Sequence, residues 1–275
     1  MEHKISIKEF NSQAVKDLGQ LRENKSLVHN ITNYVVMNYT AMALLAIGAS
    51  PIMAHSHEEV EELTSFSGAL VLNIGTLTPY WVDSMVMAGR KANEKGVPVI
   101  LDPVGSGATR LRTESAKRII EQVDISVIRG NASEILSLAD TCSKTKGVDS
   151  IHSVDEAAEA GQILAQELDT VLAITGKVDL ITDGSTTFRV QNGHPMMGMV
   201  TGTGCTATAV IAAFHAVNTD SLVAATEGLA FFGLAGEKAA DEAKAPGSYQ
   251  VKLLDYLYLI DGIIFGKGIR VTLDG

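Results

Sequence analysis

The chain is poor in cysteine and in positive charge. Its only two cysteines, Cys142 and Cys205, are too few for a cysteine metal framework. With no export signal at the start, their thiols are expected to be reduced, in a cytoplasmic protein. Lys and Arg number 22 against 32 Asp and Glu, a net charge of −10. An acidic surface argues against nucleic acid or an anionic membrane as the main partner. Any phosphorylated substrate therefore needs a local positive field from loop amides, a helix start, a few basic side chains or a metal ion. Long hydrophobic runs are also missing: Ala41–Ala49 is far too short to span a bilayer. Charges throughout Met1–Phe10 exclude a signal peptide there. There is no G-x-x-x-x-G-K-[ST] phosphate loop, no G-x-G-x-x-G after an early strand and no H-E-x-x-H.

What is there begins with Met199–Val210, M-V-T-G-T-G-C-T-A-T-A-V. Gly202 and Gly204 allow a tight turn with its N–H groups aligned, and small apolar residues at helical spacing follow. A helix start adds unpaired N–H groups and the positive end of its dipole. Two readings fit: an anion hole for phosphate, with Cys205 at its mouth, or a Gly-rich turn before a buried helix.

Elsewhere short apolar runs alternate with amphipathic stretches. Strands are expected at Leu27–Ile31, Ala49–Ala54, Ala69–Ile74, Val97–Leu101, Ile125–Ile128 and Val171–Ile174. Asp183-Gly184 marks a hairpin between Asp179–Thr182 and Thr187–Val190. Helices are expected over residues 1–26, Tyr34–Ile47, Pro79–Lys95, Thr113–Gln122, Val154–Leu168, Cys205–Val217, Ser221–Ala243 and Tyr249–Phe265. Ser56 is expected to cap another helix that runs through Ser67, and Thr141–Ser150 reads as a polar loop. The rhythm predicts one α/β domain over residues 1–275: a mainly parallel sheet with helices on both faces and an antiparallel addition.

Ligands of open parallel sheets bind at the carboxyl ends of the strands. Asn73, Asp102, Arg129, Thr175 and the Gly202–Cys205 loop all stand where an apolar run stops. Asp102 suits a hydrated Mg²⁺ shared with substrate phosphates, or it caps the following turn. Glu134 stands behind such a metal, or closes a capping box on Asn131. Arg129 forks onto a phosphate, or forms a surface ion pair. His55 and His57 read as loop residues, and His215 as a core or helix-face residue.

Seven segments in this order resemble the hydroxyethylthiazole kinase family of the ribokinase-like superfamily. They are H-N-I-T-N-Y-V (29–35), G-A-S-P-I-M-A-H-S (48–56), N-I-G-T-L (73–77), D-P-V-G-S-G-A-T (102–109), R-G-N-A-S-E (129–134), A-I-T-G-K-V-D (173–179) and G-T-G-C (202–205). The resemblance implies a ribokinase-like fold and transfer of the γ-phosphoryl of ATP to the hydroxyl of 4-methyl-5-(2-hydroxyethyl)thiazole, with Mg²⁺, in thiamin salvage. It assigns nucleotide contacts to Arg129 and Thr175, and thiazole contacts to Met53 and Gly202, with Asn30 and Asn33 in the pocket-lining segment. Asp102 and Glu134 match the acidic residues that organise the metal.

The resemblance also implies a homotrimer with sites between subunits, to which the apolar run Ser221–Ala243 is suited. Where most of the superfamily has an Asp base, this chain has Cys205, flanked by the amides of Gly202 and Gly204. A thiol at a helix start is expected to ionise more easily than a free one. Another kinase of this fold, acting on a pyrimidine or sugar alcohol, would match the architecture equally. Met53 and the apolar Val35–Met37 region favour a small, flat acceptor over a polyol. A non-catalytic sensor would lack Asp102 and Glu134; a nucleotide-dependent dehydratase of similar architecture is the remaining alternative.

Overall fold

A computed structural model describes residues 6–139 and 154–274. Nine strands make one sheet: β1 (Leu27–Ile31), β2 (Ser50–Ile52), β3 (Ala69–Asn73), β4 (Val99–Asp102), β5 (Val127–Asn131), β6 (Val171–Thr175), β7 (Asp179–Thr182), β8 (Thr187–Val190) and β9 (Val271–Leu273). They lie in the order β2-β1-β3-β4-β5-β6-β7-β8-β9. Pairing is parallel from β2 through β6 and antiparallel from β6 through β9.

Alternate residues of the strands feed two cores. Val28, Val71, Ile100 and Val127 point to one face. That face is covered by α1 (Ile7–Asn24), α2 (Met37–Ile47), α8 (Thr203–His215), α9 (Ser221–Glu242) and α10 (Pro246–Leu259). Ile31, Leu72, Leu101 and Ile128 point to the other. There they meet α3 (Val60–Ser65), α4 (Pro79–Lys95), α5 (Arg110–Gln122), α6 (Ala132–Ala139) and α7 (Val154–Leu168). A last helix, α11 (Gly262–Gly268), precedes β9.

Local chemistry fixes the ends of these elements. Ser6 and Glu9 form a reciprocal capping box at the start of α1. Thr78 caps α4, Pro79 fills its first position, and Gly96 closes it in the left-handed conformation. Several boundaries differ from expectation for similar reasons. The Asn33 carbonyl takes the N–H groups of Val36 and Met37, so α2 starts at Met37 rather than Tyr34. Ser56 starts a turn through its carbonyl to Glu59 and Val60, leaving α3 only six residues long. The expected helix Tyr249–Phe265 is two helices, because the Asp261 side chain caps a fresh start at Ile264 N. β9 was not expected, while the expected loop Thr141–Ser150, with Cys142, lies outside the described residues.

One expectation is corrected. The apolar run Ser221–Ala243 is the buried helix α9, packed against α8 and the sheet, so its composition reflects the chain's own core rather than a subunit interface. Among the described residues no helix is long and apolar enough to cross a membrane.

Candidate active site

The parallel strands end together, and their last residues meet the first turn of α8. Asn73 and Asp102 stand side by side in register on β3 and β4. Asp102 is fully buried. Its Oδ2 accepts from Asn73 Nδ2 at 2.8 Å and from Thr208 Oγ1 of α8 at 2.9 Å. Its Oδ1 is buried with no hydrogen-bond partner. Burial pushes this carboxyl up to about 6; the Arg129 guanidinium, 3.9 Å away, opposes the rise without cancelling it.

Asn33 extends the chain of contacts. Its Nδ2 donates to Asn73 Oδ1 at 2.8 Å and lies 3.5 Å from Cys205 Sγ, while its Oδ1 accepts from Val35 N. The polar atoms of Asn33 thus join the strand ends to α8. Cys205, in the first turn of α8, is half-buried. Burial pushes its thiol up to about 11, the charge of Asp102 adds to the rise, and donors from Asn73 and Asn33 fall short of offsetting it. The thiol therefore stands above its ordinary value, against the expected easing of ionisation, with burial as the main cause.

Arg129 is no surface ion pair. Its side chain is 12% exposed, and Nη2 donates to Thr175 Oγ1 at 2.6 Å, linking the ends of β5 and β6. Gly204 leaves room for it, since a Cβ there would lie 2.7 Å from Arg129 Nη1. Gly202 has φ +87°, and a Cβ there would meet Val36 Cγ1 at 2.4 Å. The first helical bond of α8 closes from Thr206 N to Gly202 O, so the amides of Thr203, Gly204 and Cys205 stand outside the ladder. A cavity of about 600 Å³ opens beside them, lined by Arg129, Thr175, Gly204, Asn192, His194 and Phe232 among others.

Glu134 closes a capping box: Oε2 accepts from Asn131 N, and Asn131 Oδ1 accepts from Glu134 N. Its Oε1 accepts from Gly105 N at 2.8 Å, pinning the loop after Asp102. Met53 and Asn30 stand apart from the cluster. Met53 follows β2 at the sheet edge, two strands from Asn73. Asn30 is buried, donates to Val28 O and leaves Oδ1 unpartnered. His55 packs on Trp81 and His57 stacks on Tyr80, while His215 bonds Ser221 at the far end of α8.

Sequence reasoning missed Thr208. It is one polar residue in an apolar helical run, and only the fold turns it toward Asp102. It also missed Asn192, which lines the cavity, and Glu237 and Arg270, which bond the segment around it; none of the three belongs to a motif.

Comparison with known proteins identifies the family. A profile described as the hydroxyethylthiazole kinase family matches residues 18–262. A hydroxyethylthiazole kinase of Desulfotalea psychrophila is 61% identical over 258 residues, covering 94% of each chain. The structure of a hydroxyethylthiazole kinase from Pyrococcus horikoshii superposes with a TM-score of 0.89 at 45% identity, covering 96% of this chain and all of that one. A ribokinase-like superfamily protein from Enterococcus faecalis shares the fold alone, at TM-score 0.58 and 15% identity over 86% of this chain and 88% of that one.

Proposed function

Because the chain belongs to the hydroxyethylthiazole kinase family, we propose that the strand ends and the first turn of α8 are where it transfers the γ-phosphoryl of ATP to the thiazole's hydroxyl. The activity, phosphorylation of hydroxyethylthiazole in thiamin biosynthesis, follows from relatives that match over nearly the full length. The observation carrying the site is the convergence of Asp102, Arg129 and Thr175 on the Gly202–Cys205 turn.

In this reading ATP lies in the cavity, with Arg129 and Thr175 beside its phosphates. The amides of the first turn of α8 face the γ-phosphoryl group, where charge builds up during transfer. Gly202 borders the acceptor, and the thiazole hydroxyl sits near Cys205. A thiol pushed up to about 11 keeps its proton at neutral pH. Cys205 therefore positions the hydroxyl; the hydroxyl proton passes to a phosphoryl oxygen as the new P–O bond forms and the bond from the γ-phosphorus to the bridging oxygen breaks, ADP leaving with the electron pair. Asn33 acts through Cys205 and Asn73, and Asn30 supports the strand beneath.

The donor set fits a Mg²⁺ held mainly by phosphates and water. No cluster of three or more His, Cys, Asp and Glu side chains among the described residues suits a metal on its own, but Asp102 has a free oxygen facing no protein donor. Asp102 would hold the ion, and Glu134 would fix the loop around it. When bound, the ion neutralises the charge on the phosphates.

We read residues 1–275 as one kinase domain that works in the cytoplasm as a homotrimer. Tyr34, Val35, Leu45 and Tyr258 are large apolar side chains left exposed in the single chain, which supports burial against a neighbour. Met53, at the sheet edge, would then serve a neighbour's α8. The test is ADP release from MgATP with hydroxyethylthiazole compared with hydroxymethylpyrimidine. Release only with the thiazole is expected; a preference for the pyrimidine would overturn the assignment of the acceptor.

A further inference from the structure

The outer wall of the cavity is the segment from Gln191 to Met199, which holds only a short 3₁₀ turn, Pro195–Met199. α9 lines the cavity beside it, through Leu229, Phe232 and Gly233. One turn further along α9 stands Glu237. Its Oε1 accepts from Gly193 N at 2.8 Å and from Asn192 Nδ2 at 3.2 Å. Both its oxygens also accept from Arg270, Oε2 from Nη1 at 2.8 Å and Oε1 from Nη2 at 2.6 Å. The same guanidinium donates to Gln191 O at 2.7 Å. The backbone of Arg270 brackets the segment too: its N–H donates to Asn192 Oδ1, and its carbonyl accepts from Gln191 N. The contact is close, since a Cβ on Gly233 would lie 2.6 Å from the backbone of Asn192.

Two independent parts of the chain, α9 and the residue leading into β9, thus close on one cavity wall through a single two-pronged ion pair. An isolated pair that is partly exposed adds little to stability. Here the pair ties the Gln191–Gly193 segment to α9 and to the residue before β9, beside the cavity. Arg129, Thr175 and Gly204 are assigned to the phosphates, which leaves the Gln191–Gly193 segment and α9 for the base and ribose of a nucleotide.

We propose that Glu237 and Arg270 are positioning residues that hold the Gln191–Gly193 wall at the width a nucleoside requires, so that they govern affinity for ATP and not for the thiazole. This rests on the cavity being the nucleotide site. Arg270→Lys keeps the charge but loses the planar fork, and Glu237→Gln keeps an acceptor but loses the charge. Each is expected to raise the KM for MgATP and the Kd for ADP roughly tenfold, the size of one charge-assisted hydrogen bond. The KM for hydroxyethylthiazole should stay within about twofold of the parent.

The measurement is steady-state kinetics for both substrates, with ADP titration calorimetry and a melting curve for each protein. Equal ADP affinity in a folded variant, with or without a lower melting temperature, would reduce the pair to a structural role and overturn the proposal. So would an equal rise in both KM values. If Glu237→Gln does not fold, Arg270→Lys, altered at the more exposed partner, gives the reading. ADP binding in Arg129→Ala separates the two levels of inference. Loss there, with none in Arg270→Lys, sinks only the role of the pair; retention there places the nucleotide elsewhere and sinks the cavity assignment as well.

Discussion

At position 205 two effects oppose each other, the field of a helix start and the desolvation of a thiol wedged beside Asp102 and Asn33. Burial is the largest influence on the thiol and pushes it up to about 11. Turnover should therefore show no basic limb attributable to Cys205 between pH 7 and 9. In a Cys142→Ser background, iodoacetamide at pH 8 should alkylate the protein on the order of a hundred times more slowly than a free thiol; reaction at the free-thiol rate would restore the case for a base. Cys205→Ala should lose less than the 10²–10⁴-fold typical of removing a general base. Asp102 yields a second outcome of opposite sign for stability and activity. Its folded value, about 6, lies above the ordinary 3.8. As pH rises, the unfolded chain ionises first, so this group's contribution to stability falls between about pH 4 and 6 and stays low above. The rise corresponds to roughly 3 kcal/mol. Asp102→Asn should abolish most turnover yet melt no lower than the parent at pH 8, its advantage shrinking towards pH 4. A variant that melts lower at every pH would contradict this account.

At the scale of elements, the two glycines at the start of α8 are constrained differently. Gly202→Ala meets both a left-handed backbone and Val36. It should destabilise by about 1–2 kcal/mol from the backbone alone and lower the melting temperature. Gly204→Ala meets only the end of Arg129. It should leave melting nearly unchanged and raise the KM for ATP by displacing that guanidinium. Much of this site was legible in the sequence because strands in a parallel sheet are continuous apolar runs that stop abruptly, and Asn73, Asp102, Arg129 and Thr175 are the stops. The capping box at Asn131 and Glu134 was legible as one of two readings, and the structure forms it. What stayed hidden was of another kind. β9 is three residues with one buried side chain, too short for a pattern. The break at Asp261 is one polar residue in an apolar stretch. Thr208, Glu237 and Arg270 gain their meaning from partners 106, 44 and 78 residues away, at Asp102, Gly193 and Asn192.

For the whole molecule, the exposed apolar side chains of the segment before α2, of α2 and of α10 support the proposed trimer. Sedimentation should find a trimer at micromolar concentration, and a fully active monomer would refute it. Mixing a Met53→Ala chain with a Gly202→Ala chain should recover some activity if sites are shared across subunits, and none if each chain is self-sufficient. The span of the Asp102–Thr208 bond has a consequence in time. Thr208 follows Asp102 by 106 residues, and synthesis adds roughly 5–20 residues per second. For about 5 to 20 s the growing chain holds a strand end whose covering helix does not yet exist. Until α8 has been made, the face of β3 and β4 that it covers in the folded chain has no cover from it. An interval of exposure to aggregation is therefore written into the order of its elements, and slowing translation before residue 203 should lengthen it.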